Sequence, residues 1–197
     1  MTVRNSARAA RGAATTTRLI SAAVAILRDE GTAGVSVQRV ADVAGTSKGL
    51  VHYHFADKDS LLTACARRVT EQLIDEESAA LTSSTAASAL DDLWSALSTP
   101  EHRGLRRALL ALATAATPGM RLGMAESTAQ RQRAAARTVG ALCQLLHLEV
   151  TVSRSALSML FLAVMDGLGL EGIGQEGLAQ HRHAYDAFWL AVLSLAA

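Results

Sequence analysis

Residues 36–55 read SVQRVADVAGTSKGLVHYHF, and this pattern predicts two short helices joined by a tight turn. A serine, which is a favoured N-cap residue, stands before the first helix, Val37–Ala44, whose apolar residues recur at helical spacing. Gly45 suits the left-handed backbone that commonly ends a helix. Ser47 can then cap the second helix, Lys48–His54, so the turn between the helices is only a few residues long.

Two short helices joined in this way have the dimensions of a helix-turn-helix, whose first helix braces against the DNA backbone and whose second lies in the major groove. Ala41 is small enough for the two helices to approach closely. Thr46 and Ser47 provide hydroxyl groups for phosphate, and Lys48 adds a long cationic donor. Gly49 lets the backbone come close to a duplex. These residue types in this order indicate double-stranded DNA as the partner.

The charge of the chain is distributed unevenly. Residues 1–58 contain eight Lys and Arg and four Asp and Glu, a net charge of +4, whereas residues 59–197 have a net charge of −3. Only two basic residues are lysines, Lys48 and Lys58, and both lie within or just after the predicted pair of helices. A basic N-terminal segment on a mildly acidic body is typical of a nucleic-acid-binding domain.

The segments on either side of this pair also have predictable structures. Residues 1–15 are rich in Ala, Thr and Arg without apolar periodicity, and we expect them to form a flexible basic arm. A first helix is expected to begin near Thr16 or Thr17 and to end at Gly31. Asp57 can cap a long fourth helix. Its apolar stripe consists of Leu61, Leu62, Cys65, Val69 and Leu73.

The remainder of the chain reads as further helices and has no strand-like alternation. Pro100 follows a threonine cap and precedes an acidic residue, which is a strong helix start. The predicted helices span residues 86–97, 100–116, 124–148, 153–170 and 177–195. The sequence therefore predicts an all-α protein of about nine helices. Its predicted domains are the arm over residues 1–15, a helix-turn-helix domain over 16–60 and a ligand-binding and dimerisation domain over 61–197.

Composition limits the other classes of protein to which the chain could belong. Half of the residues are apolar and only two are proline, which excludes a disordered chain. Two cysteines provide no disulfide framework, so a reducing cytoplasm is the expected location. We find no apolar run of membrane-spanning length, phosphate-binding loop, nucleophile elbow or paired metal-ligand motif. We therefore expect no membrane segment, no cofactor, no metal and no enzymatic activity.

The same residues resemble a known family, the tetracycline-repressor (TetR) family, in the order and spacing of its DNA-binding domain. The resemblance covers about residues 16–73 and rests on Ser36–Ala41, Gly45–Gly49, His52–Phe55, Lys58 and Leu61-Leu62. In that family the start of the second helix, the third helix and the lysine that opens the fourth helix contact DNA. The resemblance implies DNA contacts by Ser36, Val37, Thr46, Ser47, Lys48, Gly49, His52, Tyr53, His54 and Lys58.

Three residues depart from the usual pattern of that family. Thr46 stands where valine is common, His52 replaces a frequent tyrosine, and Leu50 is apolar at a position that is often polar. Leu50 is able to meet a thymine methyl group, and His52 is able to donate to a phosphate or to a base. These departures concern the operator sequence and not the mode of binding.

Several histidines and one aromatic residue have a plain structural interpretation. His52 and His54 would be two residues apart on a helix, so their side chains diverge and a metal site is disfavoured. The same spacing applies to His181 and His183, which are expected on a solvated face. Phe55 ends its helix and is expected in the core rather than against a base.

The two cysteines and a run of arginines also have plain structural interpretations. Cys65 and Cys143 are expected to be small buried hydrophobic residues, and a redox role for either stays open. Arg131, Arg133 and Arg137 resemble an anion site, but charged residues on long helices usually form a solvated face, which is the favoured interpretation.

The second domain is expected to form a dimer and to bind a small molecule. The last two predicted helices are apolar on more than one side, which predicts that they pair with their symmetry mates. Methionines and aromatic residues on several helices suit a pocket for an apolar or amphipathic effector, as the resemblance also implies, although a solid core is the competing interpretation. The predicted lining is Trp94, Leu97, Leu109, Leu112, Met124, Phe161 and Met165.

The sequence therefore favours a homodimeric transcriptional repressor that leaves a palindromic operator when an effector binds. One alternative is a DNA-binding regulator without a small-molecule ligand, controlled by a protein partner or acting architecturally. A helical enzyme is the other alternative. A cavity in the second domain separates the first two hypotheses, and a set of acid, base or metal-binding residues in a pocket would indicate the third.

Overall fold

The computed structural model describes the backbone of residues 2–168 and 175–195. Within these residues it contains nine α-helices and a short 3-10 turn at Pro118–Met120. The helices are α1 (Thr2–Gly34), α2 (Val37–Val43), α3 (Lys48–His54), α4 (Lys58–Leu81), α5 (Ala89–Leu97), α6 (Pro100–Thr114), α7 (Arg121–Leu145), α8 (Arg154–Leu168) and α9 (Gln175–Ser194). The predicted all-α fold with about nine helices is confirmed.

The first helix begins much earlier than predicted, at Thr2. Thr15, Thr16 and Thr17 lie within α1, and each hydroxyl group donates to the carbonyl oxygen four residues earlier, at 2.9 to 3.1 Å. These hydroxyl groups are therefore satisfied inside the helix, and the alanine-rich sequence before them favours helix as well. The predicted start at Thr16 or Thr17 is wrong. Gly31 interrupts the helix at the predicted position, with a φ of 68°.

The described residues form two compact units. The N-terminal unit comprises residues 1–69 and 108–126, and the C-terminal unit comprises residues 70–107 and 127–197. The helices α4, α6 and α7 therefore contribute residues to both units. The functional boundary predicted between residues 60 and 61 does not coincide with these divisions and stays a prediction.

In the N-terminal unit, α2 packs against both α1 and α3. Helices α2 and α3 have only seven residues each, which is too short for an isolated helix to be stable in water. Both are held by apolar burial, since a fully buried Val or Leu side chain contributes about 1.5–3 kcal/mol. The buried apolar side chains of α1 to α4 in this unit include Leu19, Ala23, Leu27, Val40, Val51, Leu61 and Cys65.

The predicted caps of α2, α3 and α4 are confirmed. The side-chain oxygens of Ser36 and Ser47 each accept a hydrogen bond from the amide three residues later, at 3.2 Å. Asp57 does the same at the start of α4, at 2.7 Å. Gly45, with a φ of 61°, makes the turn between α2 and α3 in the left-handed region that glycine adopts without strain. Local sequence signals therefore set the orientation of α3.

One glycine marks a close approach of two helices within the N-terminal unit. A Cβ atom at Gly123 of α7 would come within 2.2 Å of Thr63 Cγ2 on α4, a distance that requires one of the two to move. Gly140, further along α7, has open space at the same position. The two glycines of one helix therefore have different structural roles.

The core of the C-terminal unit is built around aromatic side chains of α8 and α9. The ring centroids of Phe161 and Tyr185 each lie 6.2 Å from the ring of Trp189. The buried Tyr185 hydroxyl group donates to the carbonyl oxygen of Leu90 at 2.8 Å, so its polar end is satisfied. The apolar cluster around them includes Leu93, Val139, Leu142, Cys143, Leu157 and Met165.

Helices α5 to α9 correspond to the five helices predicted in this part of the chain, with ends that differ by a few residues. α5 begins at Ala89 rather than Ala86, and α6 ends at Thr114 rather than Ala116. The predicted end at Leu170 lies outside the described residues. Among the described helices, none combines the length and the apolar character that crossing a lipid bilayer requires.

Candidate nucleic-acid interface and ligand cavity

One face of α3 is exposed and carries cationic and aromatic side chains. Lys48, His52 and Tyr53 are exposed, and Tyr53 has 76% of its surface in contact with solvent. Only Val51 of this helix is fully buried, and α3 contains no acidic residue. A large aromatic side chain at this exposure contributes little to a core, so the face is available for another molecule.

Gly49 lies on the same exposed face. A Cβ atom at this position would meet only the Ser47 hydroxyl oxygen, at 3.9 Å, which is an ordinary contact. Its φ also lies outside the left-handed region, since only Gly31 and Gly45 have positive values among the described glycines. The fold therefore gives no reason for glycine at position 49. A close approach by a molecule outside the chain does give one.

The predicted DNA contacts that precede α2 and α3 combine capping with accessibility. Ser36 and Ser47 are exposed, and each uses its hydroxyl oxygen to accept from a backbone amide. Each O–H group can still donate to a phosphate, because a hydroxyl group both donates and accepts. Val37 and Thr46 are half-buried beside them.

Two of the predicted DNA-contacting side chains have partners within the chain. The Lys58 ammonium group donates to the carbonyl oxygen of Thr32 at 3.1 Å. His54 Nδ1 lies 2.9 Å from the Thr16 hydroxyl group, which itself donates to Gly12 O. When the single hydroxyl hydrogen of Thr16 points to Gly12 O, Nδ1–H of His54 is the donor in this contact. These contacts fix both side chains beside α1.

A small cavity lies within the C-terminal unit, between side chains of α5, α6, α8 and α9 and of Ser98. Its volume is about 10 Å³, which is room for about one water molecule. The lining combines apolar side chains with two guanidinium groups and an imidazole. It consists of Trp94, Leu97, Ser98, Arg103, Arg106, Met165, Leu168, Leu178 and His181.

The structure brings together some of the seven residues predicted to bind a ligand. Trp94, Leu97 and Met165 line this cavity, and Phe161 is fully buried in the same core cluster as Leu97 and Met165. The other three belong to the N-terminal unit and do not line it. Of these, Leu109 and Leu112 are buried and Met124 is half-buried.

A buried cluster of charged residues lies beside the cavity and was not predicted from the sequence. Arg106 and Glu77 are each about 95% buried, and their side chains are 3.3 Å apart at the closest nitrogen and oxygen. Arg106 also donates to the carbonyl oxygen of Met165. His102 has no exposed surface, and its Nδ1–H donates to Glu76 at 2.7 Å. This cluster joins α4, α6 and α8 within the C-terminal unit.

Burial controls protonation in this cluster. Burial, together with the positive charges of Arg106 and Arg131, lowers the pKa of His102 to about 3, so His102 is neutral near pH 7. Burial raises the pKa of Glu77, although the nearby arginines oppose this effect. The Glu77 carboxylate is therefore held in an apolar environment mainly by the Arg106 guanidinium group.

Two sequence interpretations of charged residues are wrong. The Arg131 side chain, expected on a solvated face, is only 10% exposed and makes two hydrogen bonds of 2.7 Å to Asp166. His181, also expected on a solvated face, is buried and lines the cavity. Arg133 and His183 are exposed, as predicted. The partner of Arg131 lies on another helix, α8, and the cavity that His181 lines is formed by several helices, which helical spacing alone does not locate.

One sequence signal could have located the buried cluster. His102 and Arg106 are four residues apart on α6 and share its face with Leu105 and Leu109, both buried. Polar residues that recur in step with an apolar stripe are expected inside the fold, where they need partners.

The predicted burial of Phe55 and of the two cysteines is confirmed. Phe55 is buried with 7% of its surface exposed. Cys65 and Cys143 are also buried, and neither forms a disulfide. Burial raises the pKa of the Cys65 thiol to about 12, which makes it unreactive near neutral pH.

Comparison with known proteins gives two kinds of similarity. Residues 19–65, which include α2, α3 and the start of α4, match the model of the family described as bacterial regulatory proteins, tetR family. A curated relative, the HTH-type transcriptional regulator BetI of Rhizobium meliloti (strain 1021), is 36% identical over 63 residues. These residues are 32% of this chain and 31% of the relative, so the match spans about a third of the relative's length.

Solved structures are similar over nearly the whole chain. A transcriptional regulator from Rhodococcus sp. Rha1 has a TM-score of 0.73 at 24% identity, with 92% of this chain and 97% of that chain covered. A Saccharomonospora viridis protein solved in complex with choline has a TM-score of 0.71 at 23% identity, with 89% and 95% covered. At these identities the solved structures establish the fold alone. The family match is confined to residues 19–65, which resemble the tetR family of bacterial regulatory proteins.

Proposed function

We propose that this chain is a DNA-binding transcriptional regulator that acts as a homodimeric repressor and leaves a palindromic operator when a small molecule binds. The exposed face of α3 carries the proposal. Lys48, His52 and Tyr53 are exposed there, and the fold does not require glycine at position 49. The second helix of a helix-turn-helix lies in the major groove, where such groups contact phosphates and base edges.

The DNA contacts that we propose follow the geometry of the motif. Lys48 is the cationic donor at the start of α3, and Tyr53 and His52 extend the contact along the exposed face. Ser36 and Ser47 donate their hydroxyl hydrogens to phosphates at the starts of α2 and α3. Lys58 exchanges its bond to a carbonyl oxygen for a phosphate, a substitution that an exposed ammonium group makes at little cost.

The dimer is proposed to form through α8 and α9. Among the described residues, five of the nine exposed large hydrophobic side chains lie on these helices or directly after α9: Met159, Leu160, Leu190, Leu193 and Leu195. Apolar patches of this kind mark interaction surfaces. A second copy of the chain would cover both helices in a four-helix arrangement and place two recognition helices about 34–36 Å apart, one turn of DNA.

Ligand control is proposed to act through α4. This helix runs from Lys58, beside the DNA-binding helices in sequence, to residues of the C-terminal unit. There Glu77 of α4 pairs with Arg106, which lines the cavity. A ligand that displaces Arg106 therefore also changes what holds α4. An allosteric coupling of about 1–3 kcal/mol would release the operator. The choline complex of the Saccharomonospora viridis protein supports small-molecule binding in this fold.

A regulator without a small-molecule ligand is the second candidate. The volume of the cavity, about 10 Å³, favours it, since that space holds about one water molecule. Such a regulator would bind DNA in the same way and would respond to a protein partner or act architecturally. In either case we place the protein in the cytoplasm, where its two cysteines stay reduced.

Selection of bound sequences from a randomised duplex library tests the proposal. The wild-type chain should enrich a palindromic sequence, and fluorescence anisotropy should then show a Lys48→Ala, Tyr53→Ala double variant binding about 10- to 100-fold more weakly. Arg133→Ala, which removes an exposed arginine from α7, is the matched control and should bind as wild type does. Failure to enrich any sequence, or equal binding by the double variant, would show that α3 is not a recognition helix.

A further inference from the structure

The small cavity between α5, α6, α8 and α9 is lined by two guanidinium groups that each have a nitrogen atom without a hydrogen-bond partner. Arg103 and Arg106, three residues apart on α6, both line it. The Nε atom of each guanidinium group is buried and has no hydrogen-bond partner. Arg106 uses its other nitrogens for Glu77 and for the Met165 carbonyl oxygen, whereas no side-chain hydrogen bond or ion pair is found for Arg103 among the described residues.

Unpaired buried donors of this kind are costly. A buried polar group without a partner destabilises the folded state by about 1–3 kcal/mol, and more when it is charged. Arg103 is half-buried and Arg106 is 5% exposed, and both line the same small space, whose lining includes no carboxylate. An oxygen from another molecule would satisfy both.

The charge of the residues that line the cavity indicates which kind of molecule would bind there. Among the described residues that line the cavity there are two arginines and a histidine and no carboxylate. Trp94, the aromatic residue of the lining, already has a cation beside its ring, because the Arg182 guanidinium carbon lies 5.8 Å from the ring centroid. The site therefore favours an anion over a cation such as choline.

The rest of the lining indicates the shape of that molecule. Trp94 and Leu97 of α5, Leu168 of α8 and Leu178 of α9 provide apolar surface around the guanidinium groups. A bare inorganic anion would leave this surface without contacts, whereas a carboxylate with an apolar body would bury it. The polar and apolar groups together match an amphipathic acid.

We propose that the C-terminal unit binds a small organic acid with an apolar body, whose carboxylate pairs with Arg103 and Arg106. This inference rests on the proposed ligand-controlled function and names the chemical class of its effector. The cavity must enlarge on binding, since about 10 Å³ admits no such molecule. Of the two lining arginines, Arg103 can move more readily, because its side chain makes no hydrogen bond or ion pair with the part of the chain that the structure describes. A carboxylate that draws it inward also competes with Glu77 for Arg106.

Isothermal titration calorimetry of the full chain tests the proposal with four carboxylates: hexanoate, octanoate, decanoate and phenylacetate. At least one should bind saturably, and octan-1-ol and choline should bind at least tenfold more weakly than it does. Arg103→Gln should weaken binding of that carboxylate about 10- to 100-fold, the range expected for hydrogen bonds between charged groups. Arg103→Lys should recover part of the loss because it keeps the charge. Arg107→Gln removes an exposed arginine from the same helix and should bind as wild type does.

Three results would overturn the proposal: no saturable binding of any of the four acids, a preference for choline or octan-1-ol, or equal losses for Arg103→Gln and Arg107→Gln. Thermal unfolding of each variant, followed by circular dichroism, separates lost binding from lost structure. Calorimetry uses no DNA, so the two proposals fail separately. If choline releases the operator, the proposal of an organic acid as the ligand is wrong, whereas the proposal of ligand control stands. If an acid binds the chain but the chain has no affinity for an operator, the proposed DNA-binding function is wrong, whereas the proposal of an acid ligand stands.

Discussion

Replacement of the buried His102 by glutamine should remove much of the acid sensitivity of the fold. His102 has no exposed surface, and burial with the charges of Arg106 and Arg131 lowers its pKa from 6.5 to about 3. The unfolded chain therefore takes up a proton at His102 below about pH 6.5, while the native state does not until about pH 3. The unfolded state binds more protons throughout this window, so the histidine makes stability fall as the pH falls.

The magnitude follows from the two pKa values. One pKa unit corresponds to 1.36 kcal/mol, so the contribution of His102 to the free energy of unfolding should decline by about 2 kcal/mol between pH 7 and pH 5. Glu77 acts in the opposite direction, because burial raises its pKa and the native state then takes up a proton more readily than the unfolded chain. The histidine effect is therefore measured as a difference between wild type and His102→Gln at each pH.

Urea unfolding followed by circular dichroism at pH 7, 6 and 5 provides that difference, at one protein concentration because a dimer's stability depends on it. Wild type should lose about 2 kcal/mol more than His102→Gln over this range. His183→Gln changes an exposed histidine and should follow wild type. If His102→Gln and wild type decline in parallel, His102 is not held neutral by burial and the reasoning is refuted.

Three further predictions concern assembly, packing and reactivity. Leu190→Glu on α9 should turn the proposed dimer into a monomer in sedimentation velocity, while Leu122→Glu, exposed on α7, should leave the mass unchanged; a monomeric wild type at micromolar concentration would contradict the dimer. Gly123→Ala should lower the free energy of unfolding by about 1 kcal/mol because its methyl group meets the threonine methyl of α4, whereas Gly140→Ala has open space and should raise it by about 0.5–1 kcal/mol; denaturant unfolding compares them, and equal effects would contradict the close approach. Cys65 should resist alkylation by iodoacetamide at pH 8 in the native protein and react in urea, as mass spectrometry would show; rapid native modification would contradict its burial.

The features that could be predicted from the sequence depend on neighbouring residues. Each helix cap accepts a hydrogen bond from an amide only three residues away, as Ser36, Ser47 and Asp57 do. Gly45 likewise makes its turn with its own backbone conformation. Residue type alone therefore locates these features. The exposed face of α3 follows from the same signals, because the ends and periodicity of a helix define which side chains share a face. The predicted positions of the two short helices and of the turn between them are therefore confirmed.

One local prediction failed where two local signals competed. Thr16 and Thr17 are good N-cap residues, and they also bond back to carbonyl oxygens when a helix already precedes them. Residue type does not choose between these states. The alanine-rich segment before them decides it, since it continues the helix to Thr2.

The tertiary structure alone decided which charged residues are buried and which apolar residues surround a cavity. Arg106 pairs with Glu77 across 29 residues of sequence, and Arg131 pairs with Asp166 across 35. In the sequence, each residue of these ion pairs is indistinguishable from an ordinary charged surface residue. A charged side chain is buried only when another group compensates its charge, and here that group lies on a different helix. Arg103 and His181 likewise meet one cavity only after α6 and α9 have packed. Helical periodicity acts over a few residues, whereas compensation of charge depends on contacts between helices that the order of residues does not encode locally.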